Sequence, residues 1–273
     1  MSSHVIQGNH PNDKDTRTLI SKRYKRITKA VNEEFWDSSS ETAHSRYVGS
    51  YGRGTAINTS DLDVLIELPR EEYDHFASLY GNGQSRLLQA VKDAILDTYP
   101  NTDIKGDGQV VVVNFSDDMK FEILPAFQNL NILGAWDGTY KYPDTHMGGN
   151  WMTTNPKAEQ DAIDEKDDYD HANGLLTDTC KHIRYIKSEY YSSYHLSGIL
   201  IDSFVYDAIG WWHWLRNDEE KSNGYGKYYE ETLLDLYNSV SSYYVPTLYA
   251  PGSGMKVSCD DWDVLGKILK RMV

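Results

Sequence analysis

Two aspartates set two residues apart, Asp61 and Asp63, open the apolar run from Leu62 to Leu68, and a turn of small residues, Gly49-Ser50-Tyr51-Gly52-Arg53-Gly54-Thr55, precedes them. Side chains on a strand alternate between its faces, so both carboxylates converge on one side while Leu62 and Val64 enter a core. That is a divalent-cation site in outline. An isolated pair of this kind more often occupies a solvated turn. The small residues before it add a chemical use: glycine lets the backbone approach a ligand, and Ser50 and its neighbours can offer N–H and O–H donors to phosphate. A third acid is needed if two ions are to clamp an in-line displacement, and Glu122 in Lys120-Phe121-Glu122-Ile123-Leu124-Pro125 is the best candidate. It alternates with apolar Phe121 and Ile123 and so points away from the side that they bury; the alternative is a solvent-facing strand residue. Clustered carboxylates repel one another and push at least one towards protonation, a preference that bound Mg²⁺ reverses. Two ions about 4 Å apart would activate an attacking hydroxyl and neutralise charge on a nucleoside triphosphate's α-phosphate and leaving pyrophosphate.

Several elements must position these acids. Ile20, Tyr24, Ile27, Val31 and Phe35 recur at helical spacing, predicting a long helix over Arg17 to Trp36. Its other faces carry Arg17, Lys22, Arg23, Lys25, Arg26 and Lys29, either a solvated face or a contact for a nucleotide or partner. A strand is expected at Arg46 to Val48, then the turn, then a strand from Leu62 to Leu68 stopped by Pro69. Gln84 to Tyr99 reads as a helix, and the segments 111–115 and 121–127 as an antiparallel hairpin. Strand signals stop near His146 to Asn150, which puts a lobe boundary there: an α+β catalytic lobe over 1–150 and a mainly helical lobe over 151–273 that completes a nucleotide cleft. Asn155 and Pro156 form a cap and first helical residue, with further helices expected at about 172–190, 194–215, 225–243 and 260–272. The tryptophans at 211, 212 and 214 and the tyrosine-rich stretch 225–244 fit helical core packing better than base stacking.

The whole chain, 273 residues, is large enough for one big domain or two tightly packed lobes. With 40% hydrophobic and 25% charged residues and no apolar run of membrane length, it reads as a soluble globular protein with no membrane partner. The polar N-terminus lacks the apolar core of a secretory signal, which makes the cytoplasm the default location. Cys180 and Cys259 have no metal-ligand spacing, and two buried thiols are favoured over a disulfide. A formal net charge of -14 repels polyanions, so a long nucleic-acid partner is not expected, and a phosphate-bearing substrate needs local cations.

The stretch GSYGRGTAINTSDLDV resembles the signature of the polymerase-β-like nucleotidyltransferase superfamily. Within it, the chain is similar to the CD-NTases, bacterial relatives of cyclic GMP-AMP synthase and oligoadenylate synthase. The family pattern places a third acid before a hydrophobic residue and proline on a later strand, which KFEILPAF matches with Glu122; many members have aspartate there, one methylene shorter. Trp151 to Pro156 is similar to the stretch after the catalytic sheet in bacterial members. His182-Ile183-Arg184-Tyr185-Ile186-Lys187, leading to Ser192-Ser193-Tyr194-His195-Leu196, resembles the helix lysine and SSYH segment of cyclic GMP-AMP synthases. By position the resemblance implies that Gly49 and Ser50 sit at the nucleotide, that Lys187 and Ser193 hold the donor triphosphate, and that Tyr194 stacks on a base. Arg184 shares or replaces the role of Lys187 in an alternative helix register. Read from the residues alone, Lys187 is a snorkelling surface lysine, Tyr194 a core residue, and His195 has no partner at telling spacing.

The resemblance implies a polymerase-β-like sheet lobe with a long N-terminal helix, two Mg²⁺ ions with Mn²⁺ as an alternative, and ATP, GTP or pyrimidine nucleoside triphosphates as substrates. The expected product is a cyclic di- or trinucleotide of anti-phage (CBASS) signalling, with effectors and regulators by family association. Linear oligonucleotide synthesis, transfer to a non-nucleotide acceptor, and a non-catalytic nucleotide sensor stand as alternatives.

Overall fold

The computed structural model describes residues 4–10, 13–58, 61–217, 219, 228–241 and 246–273. Thr59 and Ser60 of the acid motif, and residues 225–227 and 242–244 of the expected helical and tyrosine-rich stretch, lie outside the described residues. Contacts divide the chain into two compact units, Asn12–Gly52 with Asp61–Lys157, and Met1–Pro11 with Arg53–Ser60 and Ala158–Val273.

The sheet unit starts with α1 (Lys14–Phe35), capped by Asp13, whose carboxylate accepts from the backbone N–H groups of Asp15 and Thr16. Ile20, Tyr24, Ile27 and Val31 are buried, as their spacing predicts. Part of the basic face has structural work: Arg23 lies over the Phe115 ring and pairs with Asp117 at 2.9 Å, and Arg26 lies over Tyr99. There follow β1 (Ser45–Tyr47), the helical turn α2 (Gly49–Gly52), β2 (Leu62–Glu67), α3 (Arg70–Ser78), α4 (Gly83–Thr98), β3 (Asp103–Asp107), β4 (Val110–Asn114), β5 (Lys120–Leu130), β6 (Trp136–Asp144) and β7 (Asn150–Thr154). The sheet runs β1-β2-β5-β4-β3, with β6 pairing further along β5 and β7 pairing β6. Only β2 and β5 pair in parallel among these strands. Leu62, Val64, Phe121 and Ile123 pack with the apolar stripes of α1 and α4 on one face, while Leu65, Ala126 and Tyr140 pack with Val48 on the other.

The expected hairpin is present as β4 and β5, but β5 continues through Pro125 to Leu130. Proline is tolerated inside this strand because β4 pairs only as far as Ile123 and β6 begins at Phe127, so Pro125 falls at the changeover where neither ladder takes a hydrogen bond. Strand signals do not stop near 146–150, contrary to the reading of composition. His146–Gly148 form a tight turn, with Met147, Gly148 and Gly149 at positive φ, and β7 returns along β6. A glycine cluster marks a turn whatever follows it, and the short Asn150–Thr154, whose apolar Trp151 and Met152 are adjacent, carries no apolar alternation to identify it as a strand.

The second unit contains α5 (Pro156–Asp167) from Ala158 onward, a helix that starts at the expected proline, α6 (Leu175–Tyr190), α7 (Gly198–Ala208), α8 (Tyr229–Ser241), a two-stranded ladder of β8 (Leu248–Tyr249) and β9 (Lys256–Val257), and α9 (Trp262–Met272). Leu176, Ile183, Leu200, Val205, Leu233, Leu265 and Ile268 form its core, joined by Val5. The helix expected over 194–215 is shorter, since it begins after Ser197 and stops before Gly210, which has φ +54°. The three tryptophans therefore lie outside it: Trp211 is 95% exposed, Trp212 stacks obliquely on Tyr229, and Trp214 donates from Nε1 to Asp178. Cys180 and Cys259 are free, buried thiols. Among the described residues, no helix is long and apolar enough to cross a membrane.

Candidate active site

β2 and β5 bring two of the three acids side by side. In their parallel register Asp63 is the direct partner of Glu122, flanked by the buried pairs Leu62–Phe121 and Val64–Ile123. Adjacent strands run about 4.8 Å apart, so both carboxylates leave the sheet on one face as immediate neighbours. On its other side Glu122 is paired with Val112 of β4, an apolar wall. Asp61, two residues before Asp63, is 51% exposed, and Glu122 is 28% exposed.

The turn of small residues is held against this pair. Val48 donates its backbone N–H to the Asp63 carbonyl, and Gly52 donates to the Val48 carbonyl, closing α2. Gly49 adopts φ +58°, and a Cβ on it would overlap the Asp63 carboxylate. Glycine is required there twice over, by the left-handed backbone and by the space that the acid occupies. Ser50 is half-buried in the same turn.

Lys120, to which the sequence assigned no role, completes the cluster. Its Nζ donates to Asp61 Oδ2 at 2.9 Å and to Glu122 Oε1 at 2.6 Å. Partial burial opposes its charge, but the hydrogen bonds it donates to Glu122 and Asp61 outweigh that and hold the ammonium pKa above its ordinary value. The signal was available: Lys120 precedes Glu122 by two on the same strand, so both share a face. A cation thus already bridges two of the three acids, which is the donor chemistry a hard divalent ion selects. The residues present fit such an ion, although among the described residues no three acids, histidines or cysteines close on one ion position.

The remaining sequence-predicted residues belong to the other unit. Lys187, on the last turn of α6, is half-buried and makes no side-chain ion pair among the described residues. Ser193 is exposed, and Tyr194 is 45% exposed rather than core, with the Lys267 ammonium 4.6 Å from its ring centroid. His195 pairs with Asp261 at 2.7 Å, a partner too distant in sequence to be read from spacing. Arg184 is not available as a triphosphate contact. It is buried and its guanidinium donates to both oxygens of buried Asp202 and to the Gly198 carbonyl. Arg53, drawn from the glycine-rich motif, donates to the same carboxylate at 2.9 Å and to Glu159 at 3.0 Å, and Thr55 adds a hydroxyl. Burial disfavours the charge of Asp202, but Arg184 and Arg53 outweigh it and hold its pKa below the ordinary carboxylate range.

Comparison with known proteins identifies the fold and the family. The sequence profile of the Second Messenger Oligonucleotide or Dinucleotide Synthetase domain matches residues 9–167, more than half of the chain. The sequence matches no curated protein. Among solved structures, the CdnE cyclic dinucleotide synthase of Elizabethkingia meningoseptica, with GTP and Apcpp, is 13% identical, with a TM-score of 0.62 over 98% of this chain and 94% of that one. The STING-associated CdnE c-di-GMP synthase of Capnocytophaga granulosa is 13% identical, with a TM-score of 0.61 over 93% and 80% of the two chains. The DncV cyclic AMP-GMP synthase of Vibrio cholerae is 10% identical, with a TM-score of 0.61 over 95% and 84%. These likenesses establish the α+β nucleotidyltransferase fold, and the profile match establishes that the chain belongs to the Second Messenger Oligonucleotide or Dinucleotide Synthetase family of nucleotidyltransferases.

Proposed function

We propose that this protein joins nucleoside triphosphates through phosphodiester bonds, releases pyrophosphate, and closes the product into a cyclic di- or trinucleotide. The observation that carries the reading is the pairing of Asp63 with Glu122 across β2 and β5, with Asp61 on the same side and the Gly49 turn pressed against Asp63. Asp61, Asp63 and Glu122 would hold two Mg²⁺ ions, with Mn²⁺ as a substitute. Bound there, the ions would supply activation of an attacking hydroxyl and neutralisation of charge on the α-phosphate and pyrophosphate. Gly49, by lacking a side chain, keeps Asp63 in place and leaves the backbone of the turn open to phosphate, with Ser50 offering a hydroxyl. Lys187 and Ser193 are assigned to the triphosphate and Tyr194 to a base; the family resemblance and the accessibility of all three side chains support that assignment.

The solved relative with GTP and Apcpp supports purine nucleoside triphosphates among the substrates. Family association supports a second-messenger role in anti-phage defence. The test is incubation with Mg²⁺ and all four ribonucleoside triphosphates, phosphatase treatment and mass spectrometry. A phosphatase-resistant oligonucleotide is expected from the wild type and none from Asp63→Asn, which should fold normally. Pyrophosphate release undiminished in Asp63→Asn refutes the assignment. A phosphatase-sensitive product indicates a linear oligonucleotide, product only with an added acceptor indicates transfer, and binding without turnover indicates a sensor.

A further inference from the structure

The acid cluster contains its own cation, and the position of that cation has a consequence for metal entry. Lys120 Nζ lies within hydrogen-bond distance of Asp61 Oδ2 and Glu122 Oε1 at once, and Glu122 is the strand partner of Asp63. Three carboxylates gathered on one sheet face carry three negative charges when ionised, and the ammonium offsets one of them. Two of the oxygens that a divalent ion would take are therefore already in use as acceptors. A metal ion and the ammonium cannot share those oxygens: both are cations, and at about 4 Å their repulsion is substantial even in water.

We propose that Lys120 is a resident counter-cation that a divalent ion must displace, so that this side chain sets the metal affinity of the site and keeps the acids assembled before the ion arrives. The proposal rests on the reading of Asp61, Asp63 and Glu122 as metal ligands. Displacement is sterically simple. The Lys120 side chain is 33% exposed, and its flexible four-carbon stem lets Nζ swing towards solvent without disturbing β5. The bidding is between a point charge of one and a point charge of two for the same oxygens, so the ion wins only above a threshold concentration that Lys120 raises. The strand geometry makes this a property of one position: two residues along β5 is the spacing that returns a side chain to the face of Glu122, while Phe121 between them is buried on the other.

The test uses the full chain and Mn²⁺ as the probe, with binding followed by the electron paramagnetic resonance of free Mn²⁺, alone and with a non-hydrolysable ATP analogue. Lys120→Gln should bind Mn²⁺ on the order of tenfold more tightly than the wild type, and its metal-free form should melt lower but gain more from added Mn²⁺. Lys120→Arg, which keeps the charge, should stay near the wild type in both measurements. Equal or weaker Mn²⁺ binding by Lys120→Gln overturns the proposal while leaving the metal site standing. No Mn²⁺ binding by the wild type in either condition removes the metal site itself, and the proposal with it. Tighter binding by Lys120→Gln that persists in the additional presence of Asp61→Asn and Asp63→Asn also overturns it, because the ion would then sit elsewhere.

Discussion

Replacing Asp202 by asparagine should unfold the helical unit far more readily than any surface change. The carboxylate is buried and accepts from Arg53 Nε, Thr55 Oγ1 and both terminal nitrogens of Arg184, at 2.7 to 3.1 Å. The amide keeps the shape but loses the charge, leaving two buried guanidinium groups of which, among the described residues, only Arg53 keeps a carboxylate partner, Glu159. Breaking a buried pair in this way costs about 3–5 kcal/mol, because the stranded charge has no water to turn to. For a chain of this size that corresponds to a fall in Tm of about 6–20 °C. Calorimetry would measure the fall, and hydrogen exchange on α6 and α7 would locate it. The pH dependence adds a second check. In the folded state Asp202 titrates below its unfolded value of 3.8, so the fold binds fewer protons there, and the contribution is present above that value and lost as pH falls through the folded pKa. The gap between wild type and variant should therefore be full near neutrality and narrow below pH 3.8. A Tm within about 2 °C of wild type at neutral pH would refute the reasoning.

Two further substitutions probe the site itself. Gly49→Ala should cost about 1–2 kcal/mol from the left-handed backbone alone and displace the Asp63 carboxylate, so nucleotide turnover should fall steeply while most of the fold persists; wild-type turnover with an unchanged Tm would show that the turn does not seat the acid. Lys187→Ala should leave Tm unchanged and weaken triphosphate binding about tenfold, the loss of one charge-assisted hydrogen bond, and titration with a non-hydrolysable triphosphate would expose an error if affinity stays constant.

The facing of the acids was legible because side chains alternate along a strand: once Leu62, Val64, Phe121 and Ile123 are assigned to a core, Asp63 and Glu122 must face the other way. Their direct pairing across β2 and β5 was not legible, since nothing in the spacing joins those two strands. The long helix α1 was legible for the analogous reason at helical period. Other features depended on partners that sequence spacing cannot supply. By sequence Arg184 is an alternative to Lys187 at the triphosphate, a reading that spacing could not correct because its partner Asp202, shared with Arg53, comes from a separate segment. The strands β3, β6 and β7 carry little of the apolar alternation that identifies a strand and depend on neighbours already in the sheet. The early stop of α7 lay in Gly210, whose positive φ outweighs the apolar pattern continuing through the tryptophans.

The double duty of β5 constrains how this fold can vary in length. Its first half is clamped between β2 and β4 and its second half carries β6, with Pro125 where the duties change hands. A residue inserted between Phe121 and Ala126 would rotate one half relative to the other and send either Glu122 or the β6 contacts to the wrong face. An insertion in the turn at 115–119 would lengthen only the loop joining β4 to β5. Length changes compatible with an intact acid cluster should therefore collect in that turn, and the strand after it should admit replacements but neither additions nor losses.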